Sequence, residues 1–266
     1  MPIVRAVYAP NGPNLIAPEL FGGAGADTVQ DLESLDLLGR VRPDVILVAT
    51  PHWVSRGDFL VHTGERPRQL YDFSGFPPKL SAVKYEPPGY PRFAEQLVKH
   101  GRSLRLPVSG TTEWGLDHGA WAPLLHLAPG ARIPVIPLSI TPRTAQEHRT
   151  WGEAIRTATD ATELRILFVS TGSITHSFRQ MQTGGGAPWP AGADAEREIV
   201  QLILQRQYDA VSNFDPQKWA MLEPEGDLNP FFIMTGAIGA EFRPRLVSSH
   251  QVWGAFGSTI IDFEPS

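Results

Sequence analysis

The stretch DVILVATPH, residues 44–52, decides the architecture. Val45 to Ala49 are apolar without interruption, the composition of a strand buried on both faces rather than one that turns alternate residues to water. The run breaks at Thr50 and Pro51 and ends on His52, so a polar, chemically versatile side chain stands where the strand stops. Working outward, similar runs recur at Ile3 to Tyr8, Ile133 to Ile140, Leu164 to Ser170 and Thr259 to Phe263, beside Asp44 to Thr50 itself. Between them the apolar residues take helical spacing: Asp27 to Val41, Tyr90 to Gly101, Arg143 to Thr159, Ala193 to Gln207 and roughly Asn229 to Ala240. This alternation predicts a single α/β domain over residues 1–266, with a central mixed, largely parallel sheet flanked by helices. Ser55 to Pro88 and Thr183 to Gly192, rich in Pro and Gly, read as exposed loops.

Bulk properties narrow the function. The chain has 266 residues with 23 basic and 28 acidic side chains, a net charge of -5. No field of that kind gathers phosphates or anionic lipid, so neither nucleic acid nor a membrane surface is an expected partner. Cysteine is absent, which removes disulfides, thiolate metal sites and a Cys nucleophile. Any metal must therefore sit on histidine, carboxylate or amide oxygen. The N-terminal stretch lacks the cationic and apolar regions of a secretory signal, and no apolar run is long enough for a bilayer. A cytoplasmic protein is expected.

Three residues of unusual type follow predicted strands: Asn11 after IVRAVYAP, His52 after DVILVATP and His176 after ILFVSTGSIT. In an open α/β sheet the carboxyl ends of the strands converge on one rim, where ligands bind. The three thus become candidates for one pocket. A histidine at the end of a strand can serve as a metal ligand, although a lone one more often caps backbone or sits in the core. His118, in GLDHGAW, stands at a predicted helix start, with Asp117 able to act as the N-cap. The carboxylates Glu223, Glu225 and Asp227 cluster just before an apolar helix, where acidic residues commonly do no more than complement the helix dipole. His62, His100, His126, His148 and His250 read as structural or surface residues. The aromatic stretch Tyr71 to Tyr90 is a candidate pocket wall or a packing loop.

These residues add up to a resemblance. DVILVATPHWVS, YPRFAEQLV, WGLDHGAWAPLLHLAPGARIPVIPLSI, FVSTGSITHSF, PEGDLNPFFIMTGAIGA and WGAFGSTIIDF stand in the order and approximate spacing of the class III, LigB-like extradiol ring-cleaving dioxygenases. The resemblance implies a LigB-like fold and a non-haem Fe(II) centre of two histidines and one glutamate, with open positions for a catecholic or aminophenolic ring and for O2. It places His52 as the second iron histidine and Glu225 as the carboxylate, with Asp227 and Glu223 as alternatives. His176 and His118 become the catalytic and substrate-binding histidines, exchanging protons with the ring hydroxyls. Homo- or hetero-oligomers are typical of the family, and its members act in aromatic-compound catabolism. One departure stands out: the segment YAPNGP puts Asn11 at the position of the first iron histidine. An amide is a weaker donor than imidazole. The resemblance is therefore compatible with an active dioxygenase, with a metal-free accessory subunit paired to a catalytic homologue, or with metal-independent acid/base chemistry on a phenol.

Overall fold

The computed structural model describes residues 2–266. Eight strands form one sheet: β1 (Ile3–Ala9), β2 (Val45–Val54), β3 (Phe59–His62), β4 (Val108–Thr111), β5 (Val135–Ile140), β6 (Ile166–Thr171), β7 (Phe242–Val252) and β8 (Phe256–Pro265). Their spatial order is β4-β3-β5-β2-β6-β1-β8-β7. The middle of the sheet, β5-β2-β6-β1, is parallel throughout, while β8 joins β1 and β7 joins β8 antiparallel. The mixed, largely parallel α/β sheet expected from the sequence is thus the observed one.

The helices are α1 (Ala26–Ser34), α2 (Leu37–Arg40), α3 (Pro91–Ser103), α4 (His118–Leu127), α5 (Ala145–Asp160), α6 (Phe178–Gly184), α7 (Pro190–Leu204), α8 (Tyr208–Ser212), α9 (Pro216–Leu222) and α10 (Asn229–Ile238). Two hydrophobic cores sandwich the sheet. On one face Val45, Leu47 and Ala49 pack with Phe93, Leu97, Trp151, Ile155 and residues of α7 and α10. On the other, Ile46 and Val48 pack with Leu32, Trp121 and Leu124. Side chains alternate across a strand, so successive residues of VILVA feed opposite cores, which is why the run carries no polar position. Among the described residues no helix is long and apolar enough to cross a membrane.

Three features depart from the sequence reading. The helix expected over Asp27 to Val41 is two helices, broken at Asp36, whose φ of 44° lies in the left-handed region. Ser55 to Pro88 is no exposed loop: it contains β3, and Phe59, Val61, His62, Gln69, Leu80 and Tyr85 are buried in it. Tyr85 anchors the segment by donating its hydroxyl hydrogen to the Ala128 carbonyl at 3.0 Å. Between α6 and α7 only residues 185–189 lie outside helix, so the connection expected over Thr183 to Gly192 is shorter than its composition suggests.

Candidate active site

Because β6 lies between β2 and β1, the carboxyl ends of these three neighbours form one continuous rim. Asn11 sits two residues past β1 and is 3% exposed. His52 belongs to the irregular end of β2, where pairing with β5 shifts register between Ala49 and Val54. The Thr50 hydroxyl accepts the His52 backbone N–H at 3.2 Å and fixes that irregular turn. Glu225 arrives from elsewhere in the chain, in the turn Glu225–Leu228 before α10. There Gly226 has φ 57°, and a Cβ on it would come within 2.8 Å of the Pro51 side chain. Glycine at 226 is thus what allows this turn to lie directly against the end of β2.

The side chains meet at short range. His52 Nε2 lies 2.9 Å from Glu225 Oε1. The Asn11 amide donates from Nδ2 to the same oxygen at 3.3 Å and stands 3.5 Å from His52 Nε2. Glu225 Oε2 accepts the Ser173 backbone N–H at 3.1 Å, while the Glu225 N–H donates to the Ser173 carbonyl at 3.0 Å, so the loop after β6 locks the carboxylate in place. His176 Nε2 is 3.9 Å from Glu225 Oε1. The other two candidate carboxylates point elsewhere: Glu223 pairs with Arg179 at 3.7 Å, and Asp227 accepts from Trp219 Nε1 at 3.4 Å.

His118 is the first residue of α4, and Asp117 caps that helix by accepting the Ala120 N–H at 3.1 Å. Asp117 is fully buried, receives Thr50 Oγ1 at 2.9 Å and Trp114 Nε1 at 3.1 Å, and burial pushes its carboxyl up from the usual value. Asp72, which the sequence reading passed over, completes the site. One of its oxygens lies 2.9 Å from His52 Nδ1, and the other takes the His118 backbone N–H at 2.8 Å and His118 Nδ1 at 2.9 Å. The signal for it was a lone acid within the aromatic run QLYDFSGF.

Electrostatics follow from this crowding. Burial disfavours a charged His52, but the Asp72 and Glu225 carboxylates outweigh it and push the imidazole up to about 10. Burial likewise acts to raise Glu225, but the hydrogen bond with His52 and the neighbouring His176 hold it below its ordinary value. Asp72 is held well below the usual carboxylate range: burial raises it, and the two histidines more than compensate. Both carboxylates are therefore ionised at neutral pH.

His52, Asp72 and His118 bring one ligand atom each within 4.8 Å of one another. Hydrogen bonds already bind that group together: the two Asp72 oxygens engage the Nδ1 atoms, while His52 Nε2 meets Glu225. The cavity measures about 570 Å³, and its lining includes Asn11, His52, Asp72, His118, His176 and Glu225 together with aromatic side chains. Phe73 and Phe76, from the stretch Tyr71 to Tyr90, form part of its wall. Of the histidines set aside, His148, His126 and His250 hydrogen-bond to Thr144, Leu15 and Asp31.

A family model described as the catalytic LigB subunit of aromatic ring-opening dioxygenase matches residues 32–260. The chain is 34% identical over 202 residues to a 4,5-DOPA dioxygenase extradiol of Escherichia coli (strain K12), covering 71% of each chain. It is 27% identical over 237 residues to the protein of that name from Mirabilis jalapa, covering 85% of each, and 30% identical over 225 residues to that of Portulaca grandiflora, covering 80% of this chain and 79% of that one. In fold it is similar to a crystal structure of an uncharacterized protein from Escherichia coli K12, with a TM-score of 0.75 at 23% identity over 97% of this chain and 99% of that one.

Proposed function

The chain belongs to the LigB family of aromatic ring-opening dioxygenases, and from that premise we propose that it is an Fe(II)-dependent extradiol dioxygenase opening a catecholic or aminophenolic ring with O2. The observation that carries this reading is the convergence of His52 Nε2, Glu225 Oε1 and the Asn11 amide, separated by 2.9 to 3.5 Å, on the floor of an apolar cavity. Adjacent ligands in an octahedral shell with bonds of about 2.1 Å stand about 3 Å apart, so the donor set suits a small divalent ion. His52, Glu225 and Asn11 would hold it, Asn11 through Oδ1 after a half turn of its amide. Fe(II) held there would supply the redox chemistry of ring opening by O2.

The remaining groups orient the ring and handle protons. Asp72 occupies His118 Nδ1, which leaves Nε2 as the atom that takes a phenolic proton. His176, 3.9 Å from Glu225, returns a proton as the ring opens. Buried Asp117 holds the start of α4 and thereby the position of His118. Hydrophobic walls exclude water from the reacting ring.

The Asn11 to Glu225 hydrogen bond favours a second reading. An amide that satisfies this carboxylate without a cation suits a metal-free subunit paired with a catalytic homologue, or metal-independent acid/base chemistry by His118 and His176. Anaerobic reconstitution with Fe(II), followed by oxygen uptake over a panel of catechols and aminophenols, separates them. Uptake with release of a ring-opened product is expected. A result in which no iron is retained and no oxygen is consumed would sink the dioxygenase reading, and a stable complex with an iron-binding homologous chain would then support the accessory role.

A further inference from the structure

The lining of the cavity includes a series of neighbouring aromatic rings. Starting at His118, Phe73 lies 5.2 Å away by centroid, and Phe76 follows at 5.9 Å, Phe21 at 5.9 Å and Trp253 at 5.8 Å. Phe256 continues the chain at 6.1 Å from Trp253, and Phe178 at 5.3 Å from Phe256. His176 closes the arc, 5.2 Å from Phe256 and 5.0 Å from Phe178. Six aromatic rings therefore run from one candidate catalytic histidine to the other. Met181 adds a flexible apolar side chain to the lining.

The charge inside this collar has one sign apart from the histidines. Asp72 and Glu225 line the cavity, and no Lys or Arg is among the described residues that do so. Arg179, next in the chain to Phe178, pairs with Glu223 instead. A carboxylate on the ring would leave water and face aromatic rings with no Lys or Arg in the lining to receive it. An alkyl or aryl substituent would meet only complementary surface, gaining roughly fourfold in affinity for each buried methylene.

We propose that the substrate is a ring whose substituent is uncharged and apolar, alkyl or aryl, gripped by the aromatic collar, and that rings bearing carboxylates are discriminated against. The proposal rests on the ring-opening reading above, in that the diol end is taken to occupy the floor.

The test is anaerobic calorimetry on the Fe(II)-reconstituted protein with three probes: catechol, 4-tert-butylcatechol and 3,4-dihydroxyphenylacetate. The butyl compound should bind at least about tenfold more tightly than the acid, a difference of about 1.4 kcal/mol. Phe178→Arg changes a side chain that is 53% exposed and adds a cation to the rim. It should shift the ratio of the two affinities towards the acid by a further factor of about ten. If catechol binds but the acid matches or exceeds the butyl compound in the unaltered protein, the substrate-class proposal is overturned alone. If catechol itself does not bind, the ring-binding reading of the site falls with it.

Discussion

Asp72 determines which nitrogen each of two histidines shows to the cavity. It engages both Nδ1 atoms at 2.9 Å, and under the proposed function this would keep Nε2 of His52 for the metal and Nε2 of His118 for the substrate. Asp72→Asn puts an amide donor in competition for those positions and favours the wrong tautomer. We expect Fe(II) affinity to fall by about 10- to 100-fold, measured by anaerobic calorimetry, together with a changed His118 tautomer in nitrogen-15 NMR. Unaltered affinity and tautomer would mean that Asp72 plays no positioning part. His52 carries a pH signature in the metal-free protein. Its folded value near 10 stands above the ordinary 6.5, so its stabilising contribution is complete below 6.5 and disappears as pH rises through about 10. The Tm advantage of the unaltered protein over His52→Ala should shrink across that window, and an advantage independent of pH would refute the ion-pair account. At this scale the sequence was informative about His52, His118, His176 and the Glu223 to Asp227 cluster, because each stood beside a strand end or helix start. Asp72 was hidden because its partners lie 20 and 46 residues away and only the folded chain brings them together.

Elements meet the site through close packing as well as hydrogen bonds. Helices α5 and α10 touch through Gly152 and Gly236: a Cβ on Gly152 would stand 2.1 Å from the Ile233 carbonyl oxygen, and one on Gly236 2.1 Å from the Arg149 carbonyl oxygen. Since α10 follows directly on the turn that carries Glu225, separating these helices displaces the carboxylate. Gly152→Val should cost about 1–3 kcal/mol through overpacking, seen as a Tm lowered by several degrees. A Tm equal to that of the unaltered protein would show that the contact is slack. The long buried strands were readable from their uninterrupted apolar runs. β3 and β4 were not, since four residues each give too little periodicity. β7, with Arg243, Pro244 and Arg245 near its start, reads as polar because it is an edge strand whose exposed positions carry charge.

Across the whole molecule, the decisive arrangement is the insertion of β6 between β1 and β2. It brings the Ser173 to His176 loop to the same rim as Asn11 and His52, so residues from separate parts of the chain share it. Hydrophobic patterning predicts parallel, doubly covered strands but does not specify their order, which depends on contacts between distant segments. That is why the class of fold was legible and the exact neighbourhood of Glu225 was not. The account therefore stands on whether Asn11, His52 and Glu225 together form a metal site. Titrating metal-free protein anaerobically with Fe(II), for the unaltered chain and for Asn11→His, tests this most directly. The account predicts saturable binding to the unaltered chain and binding at least about tenfold tighter to the variant, because imidazole is the stronger donor. Equal affinity in the two proteins, or no binding to either, would contradict it.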